Sequence, residues 1–202
     1  LQIGIDVEKY KNLDPEGLAN YVALTSFTES LKQFKETNKG KYTKNIFDNN
    51  LLVNAAIGCL NKAITYYNEG NNLLNAGDTA NSFAKLKEAK KYFDVIIAAH
   101  EYDPEGKLLI NGGKDLAKQS LIFNQAQLSI VMNDYSEAKK YLNLLKADKK
   151  YKEPTVYSQL AFIYLGDKDT TTALQIIGEG REMFPENKDL QNLELDIYTK
   201  QG

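Results

Sequence analysis

The chain has 202 residues, of which 43% are hydrophobic and 26% charged, a composition of globular type at a length that can bury a real core in one or two domains. Its 25 basic and 27 acidic residues nearly cancel, leaving a formal charge of −2, and Arg181 is the only arginine. That balance argues against nucleic acid as the main partner, because phosphate binding needs clustered positive charge, and anion recognition has few arginine forks to use.

No segment approaches the roughly 18 consecutive apolar residues of a membrane span. The single cysteine, Cys59, excludes an intramolecular disulfide and a cysteine metal cluster. Its apolar neighbours at helical spacing predict a buried, inert thiol. The chain begins at Leu1 rather than Met, as a fragment or a processed protein would. A removed signal peptide would place it outside the cytoplasm, in the periplasm of a bacterium. Usage rich in Asn, Lys and Tyr with one Arg fits an AT-rich bacterial genome.

The elements follow in chain order. Asp14-Pro15-Glu16 reads as a helix start, with an acceptor before a proline at the first helical position. Tyr21 and Leu24 suit the helix it would open, whereas residues 36–50 carry no comparable pattern. From about Asn50 to Ala76, Leu52, Ala55, Ala56, Cys59, Leu60, Ala63, Tyr66, Tyr67, Gly70, Leu73 and Leu74 recur at the three-and-four spacing of one helical face. Asn75-Ala76-Gly77-Asp78 then reads as a C-cap followed by an N-cap. A second helix is expected from about Thr79 to Ala99, through Phe83, Leu86, Ala89, Phe93, Ile96 and Ile97.

The only histidine, His100, falls near the end of that helix, where such side chains commonly meet the last carbonyls; a structural or surface role is expected. Asp103-Pro104-Glu105 repeats the helix-start signal. Leu108-Leu109-Ile110 is too short and glycine-flanked to carry a sheet, and no alternating strand pattern occurs elsewhere. Gly112-Gly113-Lys114 lacks the remaining spacing of a phosphate loop, so a flexible turn is expected. Glu179 and Glu182 read as a solvated helix face. With one histidine and no nucleophile elbow, no enzyme, metal or cofactor is expected.

The C-terminal half repeats itself. Tyr157, Leu160, Ala161, Tyr164, Ala173, Ile177 and Pro185 form one unit, and the intervals Tyr164 to Tyr198 and Ala161 to Leu195 are each 34 residues. Ala126, Asn133-Asp134 and Ala138 stand 35 residues before Ala161, Lys168-Asp169 and Ala173. Tyr66, Gly70, Leu73 and Gly77-Asp78 occupy the same relative places a further 56 residues back. One period plus an insertion of about 22 residues accounts for that step, and Ile97 to Gly113 is the place for it.

These residues resemble the tetratricopeptide repeat. The match is best over Tyr157 to Pro185 and Ile122 to Leu145, then Tyr66 to Asp78, with a truncated start at Leu190 to Gly202. The resemblance implies an all-α, right-handed α-solenoid of about three to five antiparallel helix pairs. It would be a single helical-repeat domain over 1–202, with degenerate N-terminal helices in 1–60 and recognisable repeats in 61–202 interrupted by an insertion around 79–113. Small residues (Gly70, Ala126, Ala161, answered by Ala138 and Ala173) would let paired helices approach closely. Asn133 and Lys168 replace the usual turn glycine. Asn tolerates the left-handed conformation, but Lys168 is less comfortable there and predicts a different turn.

A protein or peptide partner on the concave face is the function the resemblance implies. Removing core positions leaves Tyr67, Asn68, Asn71 and Asn75 on one first helix. Phe123, Asn124, Gln127 and Ile130 follow on the next, and Thr155, Ser158, Gln159 and Phe162 on the third. The face is amide-rich, aromatic and nearly uncharged, and amides offer both donors and acceptors to a peptide backbone. Some family members grip a chaperone's C-terminal carboxylate with Lys, Asn and Arg. Asn71 and Asn124 match the Asn places, but Tyr67, Thr155 and Gln159 stand at the cationic ones, so that clamp is not expected. The alternative is an extracytoplasmic scaffold that stacks a glycan or nutrient on Tyr67, Phe123 and Phe162. A further expectation is self-association through a C-terminal apolar face of Leu190, Leu193, Leu195 and Ile197.

Overall fold

The computed structural model describes residues 15–37, 51–103 and 109–201. Among them the chain forms eight α-helices and no strand. These are α1 (Pro15–Thr37), α2 (Leu51–Asn75), α3 (Thr79–Ala99), α4 (Lys118–Val131), α5 (Tyr135–Ala147), α6 (Pro154–Gly166), α7 (Thr170–Met183) and α8 (Lys188–Gln201). Two short 3₁₀ turns, Leu109–Gly112 and Lys114–Leu116, connect α3 to α4. The start of α1 at Pro15, the extents of α2 and α3, and the absence of strands match the sequence reading. The helix start at Pro104 lies outside the described residues.

Helices follow one another in adjacent antiparallel pairs because the same three-residue reversal occurs three times. After α2, Gly77 is left-handed (φ 83°); its N–H bonds Leu74 O at 3.0 Å and that of Asp78 bonds Leu73 O at 2.9 Å. Asn133 (φ 59°) and Lys168 (φ 63°) take the same conformation after α4 and α6. The matching bonds are Asn133 to Ile130 O and Asp134 to Ser129 O, then Lys168 to Leu165 O and Asp169 to Tyr164 O. Each is a Schellman motif, which satisfies carbonyls left over at the helix end. The following aspartate then caps the next helix. Asp78, Asp134 and Asp169 accept from the N–H groups of Asn81, Glu137 and Thr172 at 3.2, 3.1 and 3.0 Å. Lys168 thus does not alter the turn, contrary to the expectation from its side chain; two backbone bonds and the Asp169 cap hold the backbone there.

The chain forms two compact units, 1–121 and 122–202. In the first, α1 lies against both α2 and α3. Leu24, Leu52, Ala56, Cys59, Leu86, Tyr92 and Ile96 are fully or almost fully buried there. Tyr92 meets Tyr21 edge-on at 5.6 Å and Tyr66 at 5.8 Å. A Cβ on Gly70 would sit 2.7 Å from Leu86 Cδ2 and 3.2 Å from Ser82 O, so the missing side chain is what brings α2 onto α3. Burial pushes the Cys59 thiol up to about 12, which keeps it protonated and inert.

The segment after α3 is tied down rather than loose. The His100 ring lies with Nε2 2.7 Å from Leu116 O, so Nε2 carries the proton and donates. The buried Asp103 carboxylate accepts the Leu109 N–H at 2.9 Å. Burial lowers the His100 pKa; the Leu116 contact and Asp103 oppose that shift, and Lys118 adds to it. A Cβ on Gly112 would meet Leu116 and Val53 within 3 Å, so Gly112 is wedged against α2. The expected free turn is therefore a fitted one. His100 is structural, as expected, though its partner is a carbonyl 16 residues onward rather than the end of its own helix.

In the second unit, Ala126, Ala138, Ala161 and Ala173 are fully buried together with Leu128, Leu142, Leu160 and Ile177. α6 contacts α5, α7 and α8. Gly180 of α7 stands where a Cβ would be 2.8 Å from Tyr157 Cβ on α6 and 3.1 Å from Leu190 Cδ1 on α8. Two residues earlier, Gly178 has nothing within 4 Å.

That contrast predicts opposite signs for one substitution. Gly178→Ala gains helix propensity and is expected to stabilise the chain by up to about 1 kcal/mol. Gly180→Ala makes the same gain but overpacks a core, which costs roughly 1–3 kcal/mol, so its net effect is destabilising. Urea unfolding of both variants checks this. At Lys168, left-handed backbone costs a side chain roughly 1–2 kcal/mol, part of which the freer unfolded glycine chain offsets. Lys168→Gly is therefore expected to raise the unfolding free energy by about 0.5–1 kcal/mol, in the same urea assay.

Candidate partner-binding surface

The expected site residues fall into two sets. Tyr67, Asn68, Asn71 and Asn75 are all on α2 in the first unit, Tyr67 and Asn71 half-buried and the other two exposed. Phe123, Asn124 and Gln127 on α4, and Thr155, Ser158, Gln159 and Phe162 on α6, belong to the second unit. There they are half-buried except for Thr155 and Phe162, which are exposed. Each set is a surface of its own unit.

Within the second unit the amides behave differently from the expectation of a free donor–acceptor rail. Gln127 Nε2 donates to Gln159 Oε1 at 2.8 Å, and Gln159 Nε2 donates to Gln127 Oε1 at 3.0 Å. A carboxamide is both donor and acceptor, so two of them at this separation close on each other. The pair ties α4 to α6 and leaves each amide only half its capacity. Ser158 Oγ donates to Thr155 O at 3.1 Å, which also occupies the hydroxyl proton locally.

Of the two aromatic residues of the set, Phe123 is half-buried and Phe162 stays available. Phe162 is 65% exposed, far more than an aromatic ring of a monomer core. It borders two open depressions. One, of about 590 Å³, is lined by Phe162, Leu165, Gly166, Thr170, Leu193, Asp196 and Ile197. The other, of about 320 Å³, is lined by Ile130, Ser158, Gln159, Phe162, Ile163, Asp189 and Leu193. Phe162 and Leu193 are common to both, so the two hollows adjoin along α6 and α8.

Asp189, Leu193 and Asp196 were not among the expected face residues. They stand at i, i+4 and i+7 on α8 and thus share a helical face. The signal was present in the repeat interval, since 34 residues carry Thr155, Gln159 and Phe162 onto Asp189, Leu193 and Asp196. The expected apolar C-terminal face divides instead. Leu190 and Ile197 are core and Leu193 lines the hollows, while Leu195 remains outside with Tyr198. The reason is helical phase: residues 190, 193 and 197 point to one side of α8, whereas 195 does not.

The second helices use their charges on one another, on a turn and on α8. Lys139 Nζ of α5 lies 2.7 Å from Asp167 and 5.1 Å from the Tyr164 ring centroid. Lys146 of α5 pairs with Glu179 of α7, and Arg181 of α7 with Glu194 of α8. The Lys146 hydrogen bond holds the Glu179 carboxyl below its ordinary pKa, against an opposing effect of burial. Glu179 is thus more than a solvated acid, and the sole arginine is spent on an internal pair. No cluster of three or more metal-ligating side chains occurs among the described residues. No helix among them is long and apolar enough to cross a membrane.

Comparison with protein-family models gives no match, and no curated protein is significantly similar to the chain.

Proposed function

We propose that the chain is a non-enzymatic scaffold that binds a protein segment, built as a right-handed superhelix of tetratricopeptide-like helix pairs. Three identical reversals and the buried alanines at matching places in successive pairs support the architecture. The observation that carries the function is Phe162, exposed between two adjoining hollows on the layer of first helices. An exposed aromatic beside an apolar depression is the kind of anchor on which bound segments concentrate their energy. An enclosed pocket would suit a small ligand such as a glycan; these hollows are open and run side by side, as a groove for a chain requires.

Peptides selected by phage display on the intact chain provide the test. Covering a phenylalanine is worth roughly 1.5–3 kcal/mol, so Phe162→Ala is expected to weaken the selected peptides at least about tenfold. Helical circular dichroism should stay unchanged, because the side chain is outside the core. Selected peptides that bind the variant as tightly as the original would remove the groove from the account.

A further inference from the structure

The ionisable groups lining the two hollows are both acids. Asp196 borders the larger one and Asp189 the smaller. Neither carboxylate forms an ion pair with a cation among the described residues. Arg181 is held by Glu194, and Lys139 and Lys146 are committed to Asp167 and Glu179. Each hollow therefore presents one carboxylate without an ion-paired cation beside the exposed aromatic ring.

Their spacing is informative. Seven residues on α8 separate Asp189 from Asp196, about 10 Å along the axis at 1.5 Å per residue. Each hollow combines one of these acids with the shared Phe162 and Leu193. A guanidinium entering either hollow can pair bidentately with the carboxylate and stack on the phenylalanine face. An apolar side chain between two such cations would rest on Phe162 and Leu193.

Resting on the peptide-groove reading above, we infer that the occupant is a basic–apolar–basic peptide segment, with arginine on either side of a large apolar residue. The cations lie about 10 Å apart, which is one turn of three residues in a polyproline II segment at about 3.1 Å each. An Arg-x-x-Arg arrangement around an apolar side chain thus matches Asp189 and Asp196. Acidic segments are rejected by the same two carboxylates, which gives the groove its selectivity.

Three fluorescein-labelled twelve-residue peptides test this by anisotropy on the intact chain. They share one apolar core and carry Arg, Gln or Glu at the two flanking positions. The Arg peptide is expected to bind at least about tenfold more tightly than the Gln peptide, and the Glu peptide more weakly than either. Asp189→Asn with Asp196→Asn, both at exposed positions, is expected to abolish the Arg preference. Equal binding of the Arg and Gln peptides, or a preference that survives the double substitution, overturns the inference while the groove stands. Binding of none of the three, or binding of all three unaffected by Phe162→Ala, overturns the groove reading as well.

Discussion

A left-handed residue followed by an aspartate reverses this chain three times, and the rest of the second unit depends on that reversal. The left-handed position lets two N–H groups turn back onto the end of one helix, and the aspartate closes the start of the next. Both helix ends are thereby satisfied within three residues. A connection that short leaves the helices no option but to lie antiparallel as neighbours. The buried alanines at 126, 138, 161 and 173 then set how closely they lie, and Gly180 does the same for three helices at once.

The helices of the second unit are linked by different chemistry on its two sides. α5 and α7 use Lys139, Lys146 and Arg181 on acids of neighbouring elements. Such partly exposed pairs contribute modestly to stability, but they leave that layer with few free charges. The first helices are tied by an amide pair instead. They keep an aromatic ring and two carboxylates outside the core. The division of labour follows from which residues each repeat position can bury.

Local features of this architecture were legible in the sequence. α2 and α3 were readable to within a residue because a sustained 3.6-residue period ends at a glycine–aspartate turn, both strong local signals. The buried Cys59 and the exposure of Phe162 followed from the same periodicity. What was not legible is long-range or mutual. His100 reaches a carbonyl 16 residues away, and no local rule announces that. Gln127 and Gln159 looked like free recognition groups because a single sequence shows their chemistry but not that they face each other. Lys168 looked like an obstacle because propensity is a weak prior against two backbone bonds and an aspartate cap. Asp189, Leu193 and Asp196 were readable in principle through the repeat interval. They were missed because the leucines of α8 were taken together as one patch without regard to phase.

The central claim is that binding belongs to the first-helix layer of the second unit, at the junction of α6 and α8. The most direct measurement is amide ¹H–¹⁵N chemical-shift mapping of the isotope-labelled chain during titration with the arginine-flanked peptide. The account predicts the largest shifts at Phe162, Leu165, Asp189, Leu193 and Asp196, with α5 and the outer face of α7 nearly silent. Largest shifts on α5 and α7, with those five residues unmoved, would contradict it.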